Sequence, residues 1–140
     1  MKEWQQQLEM ALIEILGNAA RKFQGEELKV IDIGVFPWHS SIELSFLFTG
    51  DSCDVDDIAA WPNYDYSQFN EGGWESAVSV ANALNQEWES EKDTEAILKG
   101  VVETLKSTKV SNQLIKFNKA SNFLIQVVNP DGDEHSNYYT

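Results

Sequence analysis

An α+β fold is predicted by three features of the chain: a helical period at the N-terminus, two β-branched runs joined by a tight turn, and a return to helical spacing before one late alternating segment. Two strands joined so closely must run antiparallel, because a parallel crossover needs a dozen or more residues. Helices covering one face of such a sheet make a layered domain. The expected architecture is an N-terminal helix, then an antiparallel hairpin that shares one sheet with a late C-terminal strand. Two or three further helices pack on that sheet.

Trp4, Leu8, Ala11, Leu12, Ile15, Leu16, Ala19 and Phe23 recur at steps of three and four, which places them on one helical face. Gly25 follows the last of them, and Arg21 and Lys22 fall in the final turn, where basic side chains suit the helix dipole. The helix should end near Gln24. Leu28 to Phe36 reads as a strand on Val30, Ile31, Ile33 and Val35, Pro37 to Ser40 as a turn, and Ser41 to Phe48 as the partner strand. In that second strand Ile42, Leu44, Phe46 and Phe48 should point inward, with Glu43 and Ser45 outward.

A long loop, about 49–73, follows: it has no usable period, contains Pro62 and Gly72-Gly73, and is rich in Asp, Asn and Ser, with one short helical turn near Val55 to Trp61. Loops of that length tend to be disordered or functional, and its large aromatics argue against disorder. Helical spacing resumes at Trp74, Ala77, Val78, Ala81, Leu84 and Trp88, and again at Ile97, Leu98, Val101, Val102 and Leu105 after the capping residues Asp93 and Thr94. A short helical turn is expected after Ser111. Asn122 to Val128 alternates as a late strand, closed by the turn Asn129-Pro130-Asp131-Gly132, and residues 131–140 read as a mobile tail.

The chain has 140 residues, 42% of them hydrophobic, and shows no internal repeat, so a single domain over 1–140 is expected. A net charge of −13 opposes binding to nucleic acid and to anionic membranes, both of which need a basic footprint. No apolar run approaches the roughly 20 residues of a membrane helix. Cys53 is the only cysteine, which excludes an intrachain disulfide and fits a reducing compartment, and the polar N-terminus lacks a signal-peptide pattern. A cytoplasmic protein is expected.

The charge is concentrated. Between Asp51 and Glu95 twelve carboxylates face the single Lys92, and Trp61, Tyr64, Tyr66, Phe69 and Trp74 are threaded among them. Acid interleaved with large aromatics suits a grip on a basic protein surface, since tryptophan and tyrosine are enriched at binding hot spots. The candidate partner-binding residues are Asp51, Asp54, Asp56, Asp57, Trp61, Tyr64, Asp65, Tyr66, Glu71 and Trp74, although each tryptophan suits a core position as well. Residues 99–119 invert the sign, with Lys99, Lys106, Lys109, Lys116 and Lys119 against Glu103 alone. That dipolar layout would also support head-to-tail self-association into a homo-oligomer.

Catalytic signatures are weak. Cys53 lies among Asp51, Asp54, Asp56 and Asp57, the opposite of the positive surroundings a reactive thiolate wants. His39 in a turn and His135 in the tail read as surface residues. No Gly-x-Ser-x-Gly or Gly-rich phosphate loop occurs, and spacing singles out no carboxylate pair for glycoside hydrolysis. Asp54-Val55-Asp56-Asp57 lacks the glycine and distal glutamate of a calcium loop, and Asp131-Gly132-Asp133-Glu134-His135 has its glycine misplaced. No catalytic residue, metal ligand or cofactor is assigned.

The acidic stretch through Trp61-Pro62-Asn63-Tyr64 and Phe69 to Trp74, with Phe117-Asn118-Lys119-Ala120-Ser121-Asn122-Phe123-Leu124-Ile125, resembles small uncharacterised bacterial single-domain proteins found as immunity partners of polymorphic toxins. The resemblance spans about Leu8 to Gly132. It implies a cytoplasmic α+β protein that binds and neutralises a toxin domain, and carries over no catalytic residue set; the protein is expected not to be an enzyme. A small hydrolase or metal-dependent enzyme using the acidic loop is the alternative from another class, and an acidic oligomeric accessory protein is a third.

Overall fold

The computed structural model describes residues 1–66, 74–130 and 136–140. Its helices are α1 (Glu3–Lys22), α2 (Ser76–Glu91), α3 (Thr94–Leu105) and α4 (Thr108–Leu114), and its strands are β1 (Glu27–Phe36), β2 (Ser41–Phe48) and β3 (Asn118–Gln126). The fold is α+β, with a three-stranded sheet in the order β2-β1-β3.

The apolar stripe of α1 is buried as its spacing requires, with Leu8, Leu12, Leu16 and Ala19 inside the core. At its start the Lys2 N–H donates to Gln5 Oε1 at 2.9 Å, which satisfies one of the donors a helix N-terminus leaves free. The chain leaves the helix through Gly25, whose φ of 87° is easy only for a residue without a Cβ. α1 packs beside α2, α3 and α4, and at its end Phe23 reaches the sheet, its ring 4.7 Å from that of Phe48.

β1 and β2 form the expected hairpin, joined by a 3-10 turn at Pro37–His39 and by Ser40 at φ 50°. β3 runs parallel to β1 on its other side, so the helical segment between β2 and β3 serves as the crossover connection. Ile31, Ile33, Val35, Ile42, Leu44, Phe46 and Phe48 share one core with α1 to α4. A Phe to Ala change at such a position typically costs 3–5 kcal/mol. Asp93 Oδ1 caps α3 by accepting from Ala96 N at 3.0 Å.

Several boundaries differ from the sequence reading, among them the end of α1 at Lys22, short of Gln24, and that of β3 at Gln126, short of Val128. α4 starts at Thr108, ahead of Ser111, because Ser107 caps it and Val110 and Leu114, four residues apart, both reach the core. β3 starts at Asn118, where exposed polar residues pair with Glu27 and Leu28 and leave no alternating pattern to read. Residues 136–140 fold back on β3: Asn137 Oδ1 accepts from Val127 N at 2.9 Å, and Tyr138 N–H donates to Val127 O at 2.8 Å. Asp131 and Gly132 of the expected closing turn lie outside the described residues.

The second face of the sheet also departs from expectation. Ser45, expected outward, is buried, and so is Leu47 on the same face. Residues 49–65 double back over them as a strap, building a small second core from Val30, Leu47 and Trp61 with Cys53, Val55, Ile58 and Tyr64 at its margin, and Tyr66 at its end joins the first core.

Candidate partner-binding surface

The strap is a chain of turns, which explains how a segment without period holds one shape. Asp51 closes the first: its N–H donates to Phe48 O at 3.0 Å while its Oδ2 accepts from Phe48 N at 2.9 Å. Asp57 N–H bonds Asp54 O at 3.2 Å, and a 3-10 turn at Ile58–Ala60 follows, the short helical turn expected near Val55 to Trp61. The Trp61 indole N–H then donates back to Asp54 O at 3.1 Å, and Cys53 Sγ to Ala60 O at 3.2 Å. Phe46 N–H donates to Asn63 O at 3.2 Å and Asp65 N–H to Ser45 Oγ at 2.9 Å, which tie the strap to the edge strand β2.

This geometry separates the candidate residues. Asp51 is half-buried, whereas Asp54, Asp56 and Asp57 are exposed, so the strap carries these three carboxylates on the outside. The aromatics point the other way. Trp61 is 3% exposed, Tyr66 4% and Trp74 5%. Trp61 fills the second core, Tyr66 meets the rings of Phe23 and Phe46 edge-on, each at 5.5 Å, and Trp74 donates its indole N–H to Ala11 O at 3.0 Å. An exposed aromatic grip formed by these three rings is therefore corrected: each is held inward by packing that leaves no face for a partner. Asp65 is likewise buried, and Tyr64 is half-buried with its hydroxyl 3.3 Å from Glu43 Oε1. Glu71, Phe69 and the Gly72-Gly73 pair lie outside the described residues.

Beneath the strap is a group the sequence reading missed. Asp32 on the central strand is 7% exposed and accepts from Gln126 Nε2 at 3.0 Å. Burial pushes its carboxyl up to about 6, only partly offset by the Gln126 bond, with nearby Glu43 adding to the rise. Burial raises Glu43 as well, assisted by the charge of Asp65 and opposed by the Tyr64 hydroxyl. The one visible signal in the sequence is a carboxylate interrupting the apolar run Val30-Ile31-Asp32-Ile33.

The remaining candidates are dispersed. His39 is exposed beside Trp38, and Cys53 is half-buried. Among the described residues no group of three His, Cys, Asp or Glu side chains is placed to hold a metal ion, and His135 with its acidic neighbours lies outside them. On the basic segment Lys99 pairs with Glu95 at 3.1 Å, and Lys106 donates to Thr140 O at 2.7 Å with its ammonium 5.1 Å from the Tyr139 ring. Among the described residues no helix is long and apolar enough to cross a membrane.

Comparison with protein-family models, curated proteins and solved structures finds no match to this chain.

Proposed function

We propose that the protein is a non-catalytic binding module acting in the cytoplasm, and that the outer side of the strap is the surface it offers to a basic protein partner. The observation that carries this reading is the bond from Trp61 Nε1 to Asp54 O, which fixes the backbone around Asp54, Asp56 and Asp57 with their side chains in solvent. A segment already held in one shape loses little conformational freedom on binding, so rigid presentation favours affinity. Clustered like charge on it accelerates encounter with an opposite charge. The aromatics act as struts of this surface, and the carboxylates make the contact.

The resemblance to immunity partners of toxins gives the reading its particular form: an inhibitor that covers the basic active site of a toxin domain. A pull-down from the source cell, washed at low and at high salt, tests it. A basic protein retained at low salt, released by salt, and lost when Asp54, Asp56 and Asp57 are all changed to Asn supports the proposal. Retention unaffected by both treatments contradicts it.

A further inference from the structure

A covered sheet face ordinarily carries apolar side chains, yet here Asp32 stands at its centre on the middle strand. Among the described residues the groups that face it are acidic or neutral. On β2 its cross-strand partner is Ser45, with Glu43 near enough to raise its carboxyl. On β3 its partner is Gln126, whose side-chain amide donates to it, and Asp56 of the strap shares a cleft with Gln126. The strap also brings Tyr64 into the field of Asp32, and Asp65 into that of Glu43. Among the described residues no lysine, arginine or histidine forms an ion pair with Asp32 or Glu43.

A carboxylate in such a place has two routes to relief: it takes up a proton, or water reaches it. β1, β2 and β3 cannot yield water access without breaking the sheet, whereas the strap is irregular: it is held by the seat of Trp61 on Val30 and Leu47 and, beyond that ring, by bonds to β2 that include Phe46 N to Asn63 O, Asp65 N to Ser45 Oγ and the Tyr64 hydroxyl to Glu43. Segments of this kind open locally at lower cost than the core does. We propose that the strap is a proton-gated cover: ionisation of Asp32 favours a lifted strap that admits water to the carboxylate, and protonation favours the seated one. The cover itself does not depend on what the strap binds. Its consequence, that the outer carboxylates are held most rigidly on the acidic side of neutrality, rests on the function proposed above.

The size of the effect follows from linkage. If lifting returns the Asp32 carboxyl from about 6 to its ordinary 3.8, the ratio of lifted to seated strap rises with pH by up to about a hundredfold, and by about tenfold of this between pH 5 and 7.5. Amide hydrogen exchange of the protein alone, corrected for the intrinsic pH dependence of exchange, reads that ratio at the Asp65 and Phe46 amides. Protection at both should fall about tenfold from pH 5 to 7.5, while the amide of Val101 in the helical core stays level. In Asp32→Asn, whose side-chain oxygen still accepts from Gln126, protection at Asp65 and Phe46 should not change over this range. Flat protection in the wild type, or an equal fall in Asp32→Asn, overturns the proposal. Should Asp32→Asn not fold, the carboxyl 13C titration of wild-type Asp32 decides: a midpoint near 6 that tracks the loss of protection upholds the cover, and a midpoint below about 4.5 overturns it. No partner enters the experiment, so its failure leaves the binding proposal to its own test.

Discussion

Trp61 and Asp54 are joined by a bond from the indole N–H to a main-chain carbonyl at 3.1 Å, and that bond turns an acidic loop into a fixed surface. The ring lies on Val30 and Leu47 while the Asp54 side chain stays in solvent, so one residue pair couples the second core to the exposed charge.

Trp61→Ala should therefore act first on folding. Removal of a buried tryptophan costs on the order of 3–5 kcal/mol, and the strap should lose exchange protection ahead of the helices. Trp61→Phe keeps most of the apolar contact and loses the bond, for about 1 kcal/mol. Thermal unfolding of both variants separates packing from the hydrogen bond.

Asp32→Asn should stabilise the protein at neutral pH. The folded Asp32 carboxyl titrates near 6, above its ordinary 3.8, so its ionisation opposes folding. Stability from this group is full below the unfolded value and is lost as pH rises through about 6. The full difference corresponds to about 3 kcal/mol, an upper figure for the gain in Asp32→Asn above pH 7. Denaturant unfolding at pH 5 and pH 8 should show the variant's advantage growing with pH.

Gly100→Ala should destabilise despite alanine's better helix propensity. A Cβ at position 100 would lie 2.7 Å from Trp4 Cη2, where α1 and α3 approach closely. Overpacking of this kind costs about 1–3 kcal/mol, and the gain in propensity is no more than about 1 kcal/mol. A melting temperature below that of the wild type is expected.

Asp93→Ala should cost about 1 kcal/mol, because Asp93 is the side-chain acceptor for the Ala96 amide at the start of α3. Asp93→Asn should restore most of that loss. Thermal unfolding of the pair checks it.

The hairpin and α1 were legible because their periods are driven by burial on one face. Ser41 to Phe48 alternates so regularly that the sequence range and the strand coincide. The beginning of β3 was not legible, since Asn118 and Lys119 are placed by their ladder with β1 and show no apolar period. The direction of Trp61, Tyr66 and Trp74 was hidden for a different reason. An aromatic ring among carboxylates has the same composition whether it faces the core or a partner, and only the tertiary packing decides: the return of the strap over Val30 and Leu47 for Trp61, and the main core for Tyr66 and Trp74. Asp32 was hidden likewise, because a carboxylate at an alternate strand position reads as outward-facing until something covers that face.

The central claim is that Asp54, Asp56 and Asp57, held outward by the strap, steer a basic partner. Association kinetics with the protein captured in the pull-down test it most directly, comparing wild type with the variant in which all three are Asn at ionic strengths that bracket a screening length of about 8 Å. The account expects slower association of the triple variant at low salt, a flatter salt dependence, and a dissociation rate changed much less. Association at the parental rate in low salt would contradict it.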